Sequence, residues 1–231
     1  MPCTRRQLVH LLGLAALSAP GFVTGRSARA DEICRNKGVE AASLWRRLTE
    51  GNRRFVAGTP AEHDLVRARR ELLGTPAAPI VVLGCSDDRI APETVFDTGL
   101  GELFVVRTAG NVVDPVGLGS IEYAVRRLGA RLLVVLGHDR CGAVEAAMTG
   151  ELTASPALEA IMRRIAPALE GVRSAADGSG DARPAIVANV RQSARDLVTY
   201  SRLVGDAVAT GKLVVVQAFY RLETGTVDRL V

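Results

Sequence analysis

Four short apolar runs set the framework of this chain. Residues 80–83 (Ile-Val-Val-Leu), 102–107, 132–136 (Leu-Leu-Val-Val-Leu) and 212–219 are rich in Val and Leu with little polar interruption. Such runs predict strands buried on both faces, as in a parallel sheet. Between them the apolar spacing turns helical. Within 39–55, Ala42, Leu44, Trp45, Leu48 and Phe55 alternate with Arg46, Arg47, Glu50, Arg53 and Arg54, the pattern of an amphipathic helix. Gly58-Thr-Pro60 ends it, and a second short helix over 62–73 stops at Gly74-Thr-Pro76. Residues 110–115 read as a loop. Residues 118–128 read as a helix with Ile121, Ala124, Val125 and Leu128 inward, closed by Gly129. Further helices are expected over 141–148, 156–170 and 182–209, the last two around a Gly/Ser/Asp-rich linker at 174–181, and 222–227 has the composition of a tight hairpin turn. Strand and helix alternate, which predicts an α/β fold: a central, mainly parallel sheet flanked by helices, with an N-terminal helical arm.

The first thirty residues stand apart from this pattern. Thr4-Arg5-Arg6-Gln7-Leu8 reads as a twin-arginine segment, 11–17 as a short apolar stretch, and Ala28-Arg29-Ala30 as a small-x-small cleavage site before Asp31. The apolar stretch is too short to span a bilayer, so export of a folded protein to the periplasm or beyond is favoured over a stable membrane anchor. Residues 31–231 then form one domain, with 31–38 as a ragged start. Charge supports the division. The whole chain carries 29 basic and 25 acidic residues, a formal +4. The leading segment holds Arg5, Arg6, Arg26 and Arg29 and no acid, so 29 − 4 = 25 basic residues face 25 acidic ones in the remainder. A balanced body with 4% aromatic residues excludes a nucleic-acid partner.

Chemistry gathers where two strand runs break off. Cys85-Ser-Asp-Asp-Arg89 follows the first run, and His138-Asp-Arg-Cys141-Gly142 follows the third. Sites in open parallel sheets form at the carboxyl ends of strands. Two neighbouring strand ends would bring Cys85 to the His138/Cys141 pair. Two thiols and one imidazole suit Zn²⁺ with one coordination place left open. A structural zinc would need a fourth Cys or His, and Cys34 and His63 do not have ligand spacing. Cys34, left over once Cys3 departs, is a free thiol, an intermolecular bridge or a tail residue without a role. In an extended segment Cys85, Asp87 and Arg89 share a side. Arg89 would keep Asp87 ionised, and Asp87 would accept a hydrogen bond from metal-activated water. A plain salt bridge is the alternative. Asp88 faces away, and Asp139 and Arg140 are expected as surface or interface charges.

Cys85-Ser-Asp87-Asp-Arg89 together with His138-x-x-Cys141-Gly resembles the signature of the β-class carbonic anhydrases. Leu48-Thr-Glu-Gly51-Asn52-Arg-Arg54-Phe55, Phe104-Val-Val-Arg107-Thr-Ala-Gly110-Asn111, Ser120-Ile-Glu-Tyr123-Ala and Gly211-Lys-Leu with Leu222-Glu-Thr-Gly225 resemble that family too. The resemblance implies zinc on Cys85, His138 and Cys141, and reversible hydration of carbon dioxide to bicarbonate and a proton by hydroxide activated on the metal. It also implies a homodimer or larger homo-oligomer embraced by N-terminal helices. Two states are implied: one with the Asp87–Arg89 pair intact, the other with Asp87 as fourth ligand. Ala61-Glu62-His63-Asp64 departs from a His-Pro-x-Gln stretch common in bacterial members. His63 either replaces that Gln, relays protons, or is an exposed loop residue without a role. Rival readings are a related zinc hydrolase of carbon disulfide or carbonyl sulfide, and a non-catalytic zinc-binding module.

Overall fold

Two fully buried strands, β1 (Ile80–Cys85) and β3 (Leu132–His138), lie side by side at the centre of a five-stranded sheet. This is a computed structural model describing residues 24–74, 78–151, 154–170, 172 and 181–230, with side chains from residue 40 onward. β2 (Leu103–Thr108), β4 (Val214–Tyr220) and β5 (Val227–Arg229) complete the order β2-β1-β3-β4-β5. All pairings are parallel except the β4–β5 hairpin.

The unbroken apolar runs are explained by helices on both faces. Val81, Leu83, Leu133 and Val135 pack with Ile121, Val190, Leu197 and Val204 on one face. Ile80, Val82, Leu132, Val134 and Leu136 meet Leu48, Phe96 and Val216 on the other. Each such side chain contributes about 1.5–3 kcal/mol by leaving water. The helices are α1 (Thr24–Ala57), α2 (Leu65–Glu71), α3 (Pro92–Val95), α4 (Pro115–Tyr123), α5 (Gly142–Thr149), α6 (Pro156–Glu170), α7 (Arg183–Tyr200) and α8 (Arg202–Ala209).

Several expected boundaries move, each for a local reason. The arm begins well before residue 39, since α1 already runs from Thr24 through the stretch expected as a ragged start. α4 begins at Pro115 rather than 118, because Asp114 caps it by accepting from the Val116 and Gly117 N–H groups and Pro115 fits the first turn. It continues as a π-helical turn over Ala124–Leu128 that Gly129 closes. The expected helix over 182–209 is two helices. Ser201 is extended there, its Oγ accepting from Val204 N–H at 3.0 Å and donating to Glu122 at 2.5 Å. The 222–227 turn joins β4 to β5 as expected, and α3 and β5 had no clear signal in the pattern. The twin-arginine segment, the 11–17 stretch, residues 75–77 and most of the 174–181 linker lie outside the described residues, as does the side chain of Cys34. No described helix is long and apolar enough to cross a membrane.

Candidate metal centre

The two central strands deliver the site. Cys85 and His138 are their last residues rather than the first residues beyond them, and Cys141 sits immediately before α5 three residues later. The register Gly84↔Leu136 sets both ends at one level of the sheet. As a result Cys85 Sγ, Cys141 Sγ and a ring nitrogen of His138 all lie within 4.8 Å of one another. Cys85 is 5% exposed, and His138 and Cys141 are 0% exposed.

The donor set fits zinc. The thiols are 3.9 Å apart, close to the roughly 3.8 Å that two sulfurs span on a tetrahedral zinc with bonds of about 2.3 Å. His138 Nδ1–H donates to the Asp139 carbonyl at 2.8 Å, which leaves the Nε2 lone pair facing the sulfurs. That Nε2 is buried without a hydrogen-bond partner among the described residues. A buried polar atom without a partner costs stability, and a metal ion between two thiolates would satisfy it.

The surroundings favour ionisation of one sulfur of the pair. A hydrogen bond from Cys141 holds the Cys85 thiol well below its ordinary range against the cost of burial, helped by the Gly110 and Asp87 N–H groups. The Gly110 N–H lies 3.2 Å from Cys85 Sγ. Sharing with Cys85, then burial, pushes Cys141 up. The two thiols thus titrate as one coupled pair, with Cys85 favoured as the thiolate.

Asp87 and Arg89 meet as expected, by a different backbone route. The chain turns after Ser86 instead of staying extended: Ile90 N–H reaches the Asp87 carbonyl at 3.2 Å, and Arg89 N–H reaches Asp87 Oδ1 at 3.0 Å. A short acidic side chain bonding to its own following backbone favours such a turn. The guanidinium then forks onto the carboxylate, with Nε to Oδ1 at 2.8 Å and a terminal nitrogen to Oδ2 at 2.6 Å. This fork holds the Asp87 carboxyl down at about 2. Oδ2 stands 4.0 Å from His138 Nε2. With both oxygens engaged by Arg89, the carboxylate faces the trio without joining it, which is the intact-pair arrangement.

Some neighbours were missed or misplaced by sequence reasoning. Arg107 donates from Nε to the Cys85 carbonyl at 2.8 Å and from its terminal nitrogen to the Asp87 carbonyl at 2.5 Å, tying β2 to the ligand segment. Its signal was an arginine ending an apolar strand run. Arg140, with φ 51, offers its carbonyl to Arg89 at 3.0 Å while its side chain is exposed. Asp139 is half-buried and accepts from Leu222 N–H at 3.3 Å, so it anchors the β4–β5 turn rather than serving as a surface charge. Asp88 is exposed, as expected. His63 is not an idle loop residue: its Nε2 bonds Asp97 Oδ1 at 3.1 Å.

A sequence model of the carbonic anhydrase family matches residues 80–227, which span every residue of this site. Carbonic anhydrase 2 of Mycobacterium tuberculosis is 41% identical over 189 residues, covering 79% of this chain and 89% of the relative. The carbonic anhydrase of Mycolicibacterium smegmatis is 41% identical over 191 residues, covering 80% and 91%. The chain belongs to the β-carbonic anhydrase family. A solved β-carbonic anhydrase from Coccomyxa, in complex with acetazolamide, superposes with a TM-score of 0.64 at 27% identity over 70% of this chain and 75% of that one. This chain is therefore a carbonic anhydrase, an enzyme of reversible carbon dioxide hydration, and its buried Cys-His-Cys group could hold a metal ion.

Proposed function

We propose that Cys85, His138 and Cys141 hold one zinc ion and that Asp87, fixed by Arg89, orients the attacking water for carbon dioxide hydration. The unpartnered Nε2 of His138 between two thiols carries this reading. Bound there, zinc supplies a strong nucleophile at neutral pH by acidifying a water. The protein's part is orientation and charge. Cys141 at the start of α5 and Cys85 under the Gly110 N–H keep negative sulfur in a dry site. Asp87 stays ionised through the neutral range because its carboxyl is held at about 2, so it accepts a hydrogen bond without taking the proton. Arg89 blocks Asp87 from swinging toward the trio, and Arg107 fixes the backbone that carries both Cys85 and Asp87.

The test is Asp87→Ala. Zinc content stays at one per chain while turnover falls by about 10²–10⁴, the usual worth of positioned proton-handling groups. Full turnover in that variant removes Asp87 from the mechanism.

The enzyme works as a homodimer or a larger assembly of identical chains. β2 lies at the sheet edge with one side unpaired, Val116 and Tyr123 on the neighbouring α4 are 81% and 51% exposed, and α2 has no buried residue. Light scattering on the uncleaved chain should give at least twice its 24.4 kDa mass. Export through the Arg5-Arg6 segment, with cleavage after about Ala30, is supported by the charge break in the sequence. Replacing both arginines by lysine should retain the protein in the cytoplasm with its leader attached.

A further inference from the structure

Asn189 stands on the face of α7 that also carries Ile186, Val190 and Ser193, and it is 1% exposed. A polar side chain at an apolar helix position is costly unless it bonds. Asn189 Nδ2 donates to the carbonyl of Gly110 at 2.7 Å, while its Oδ1 has no partner among the described residues. The residue is thus tied to the fold through its donor. Gly110 in turn sends its own N–H to Cys85 Sγ at 3.2 Å.

The backbone at this link needs holding. Gly110 has φ 70 and Asn111 follows with φ 46, two left-handed residues in succession. A Cβ on Gly110 would lie 3.1 Å from Ile165 Cδ1 and 3.3 Å from Ala143 Cβ, so the turn is pressed against α5 and α6. α7 holds it from the remaining side. That approach depends on Gly137, next to His138, where a Cβ would come within 2.4 Å of Val190 Cγ2.

We propose that Asn189 is a positioning residue of the metal centre: by fixing the Gly110 carbonyl it aims the Gly110 N–H at the Cys85 thiolate. That hydrogen bond both places the sulfur and lowers the energy of its filled orbitals. The inference rests on the reading of Cys85, His138 and Cys141 as a zinc site. Removing a partner directly bonded to a metal ligand weakens binding by about 10–100-fold, and Asn189, one link further out, belongs at the lower end, about tenfold.

Cobalt(II) in place of zinc tests this on the full chain, because sulfur-to-cobalt charge transfer reports the Cys85 and Cys141 sulfurs directly, and only Cys85 accepts from Gly110 N–H. Wild type, Asn189→Leu and Ser193→Ala are compared for band position, cobalt affinity by chelator competition, and thermal midpoint. Ser193, 2% exposed and 3.5 Å from Asn111 Nδ2, probes the same buried cluster without touching Gly110. The expected result is a shift of the band to lower energy and about tenfold weaker cobalt binding in Asn189→Leu, a loss comparable to that of an outer ligand partner. Ser193→Ala should melt earlier with its band unmoved. If Asn189→Leu melts earlier yet keeps the wild-type band and affinity, Asn189 is structural only and the proposal is overturned. A wild-type protein that takes up cobalt with no thiolate band overturns the metal reading itself, and this inference with it. Should Asn189→Leu fail to fold, Asn189→Ser, whose hydroxyl is too short to reach Gly110, is read by the same criteria.

Discussion

Asp97 and His138 are both buried polar groups, 7% and 0% exposed, and each belongs to a cluster that pairs an imidazole with acidic groups. Around Asp97 every strong acceptor is engaged. Oδ2 takes Arg54 Nε at 2.5 Å and Ala61 N–H at 3.0 Å, and Oδ1 takes His63 Nε2 at 3.1 Å. Burial opposes its ionisation, but the Ala61 N–H, Arg54 and His63 outweigh that and hold its carboxyl below the ordinary value. Around His138 one nitrogen has no partner among the described residues and faces two thiols. The first arrangement fastens α1 and the 58–64 segment to the end of α3, and it even holds Asp97 at φ 45. The second could hold a metal ion. The difference between a structural knot and the proposed reactive centre is one unspent lone pair.

The comparison breaks most sharply at His138. His138→Ala should lose bound metal and bring hydration to background, an effect larger than the roughly 100-fold upper limit for outer partners of ligands; elemental analysis and stopped-flow hydration check it. Arg107→Ala, which frees the Cys85 and Asp87 carbonyls, should cost about tenfold in turnover with folding intact, within the range for groups that orient a metal centre. On the Asp97 side the effects fall on stability. Asp97→Asn should leave turnover near wild type and lower unfolding free energy by about 1–3 kcal/mol, the cost of weakening hydrogen bonds to a buried charged group. Denaturant melts set beside hydration rates would show it.

Acid should erase that last difference. The Asp97 carboxyl titrates below its ordinary 3.8 in the folded chain. Its contribution is therefore fully present above pH 3.8 and is lost as the pH falls through the lower folded value. Wild type and Asp97→Asn should converge in stability as the pH drops past that range. A gap that stays constant or widens in acid would mean that Asp97 is not held as the ionised partner of Arg54 and His63.

The meeting of Cys85, His138 and Cys141 was legible in the sequence because they sit at fixed steps from two unmistakable strand runs. Parallel pairing then needs only adjacency to bring Cys85 to His138 and Cys141. The Asp87–Arg89 pair was legible as chemistry but not as backbone, since a period-two reading cannot see that Asp87 bonds the Arg89 N–H and turns the chain. Ser201 hid a helix break inside an apolar pattern, because a capping hydroxyl and a surface serine look alike until a neighbour such as Glu122 appears. Asn189 and Arg107 lie 104 and 22 residues from Cys85, and only the register of β1 with β2 and the close seat of α7 at Gly137 bring them to the site. Asn189 did leave a trace: an amide beside Ile186 and Val190, on a helix face whose other buried residues include Ser193.

The central claim is tested most directly by metal analysis and carbon dioxide hydration measured on one purified sample, before and after a zinc chelator and again after zinc is returned. One zinc per chain, activity that vanishes with the metal, and recovery on reconstitution are predicted. A chain loaded with zinc at Cys85, His138 and Cys141 yet inert toward carbon dioxide, or one whose activity survives complete zinc removal, would contradict the account.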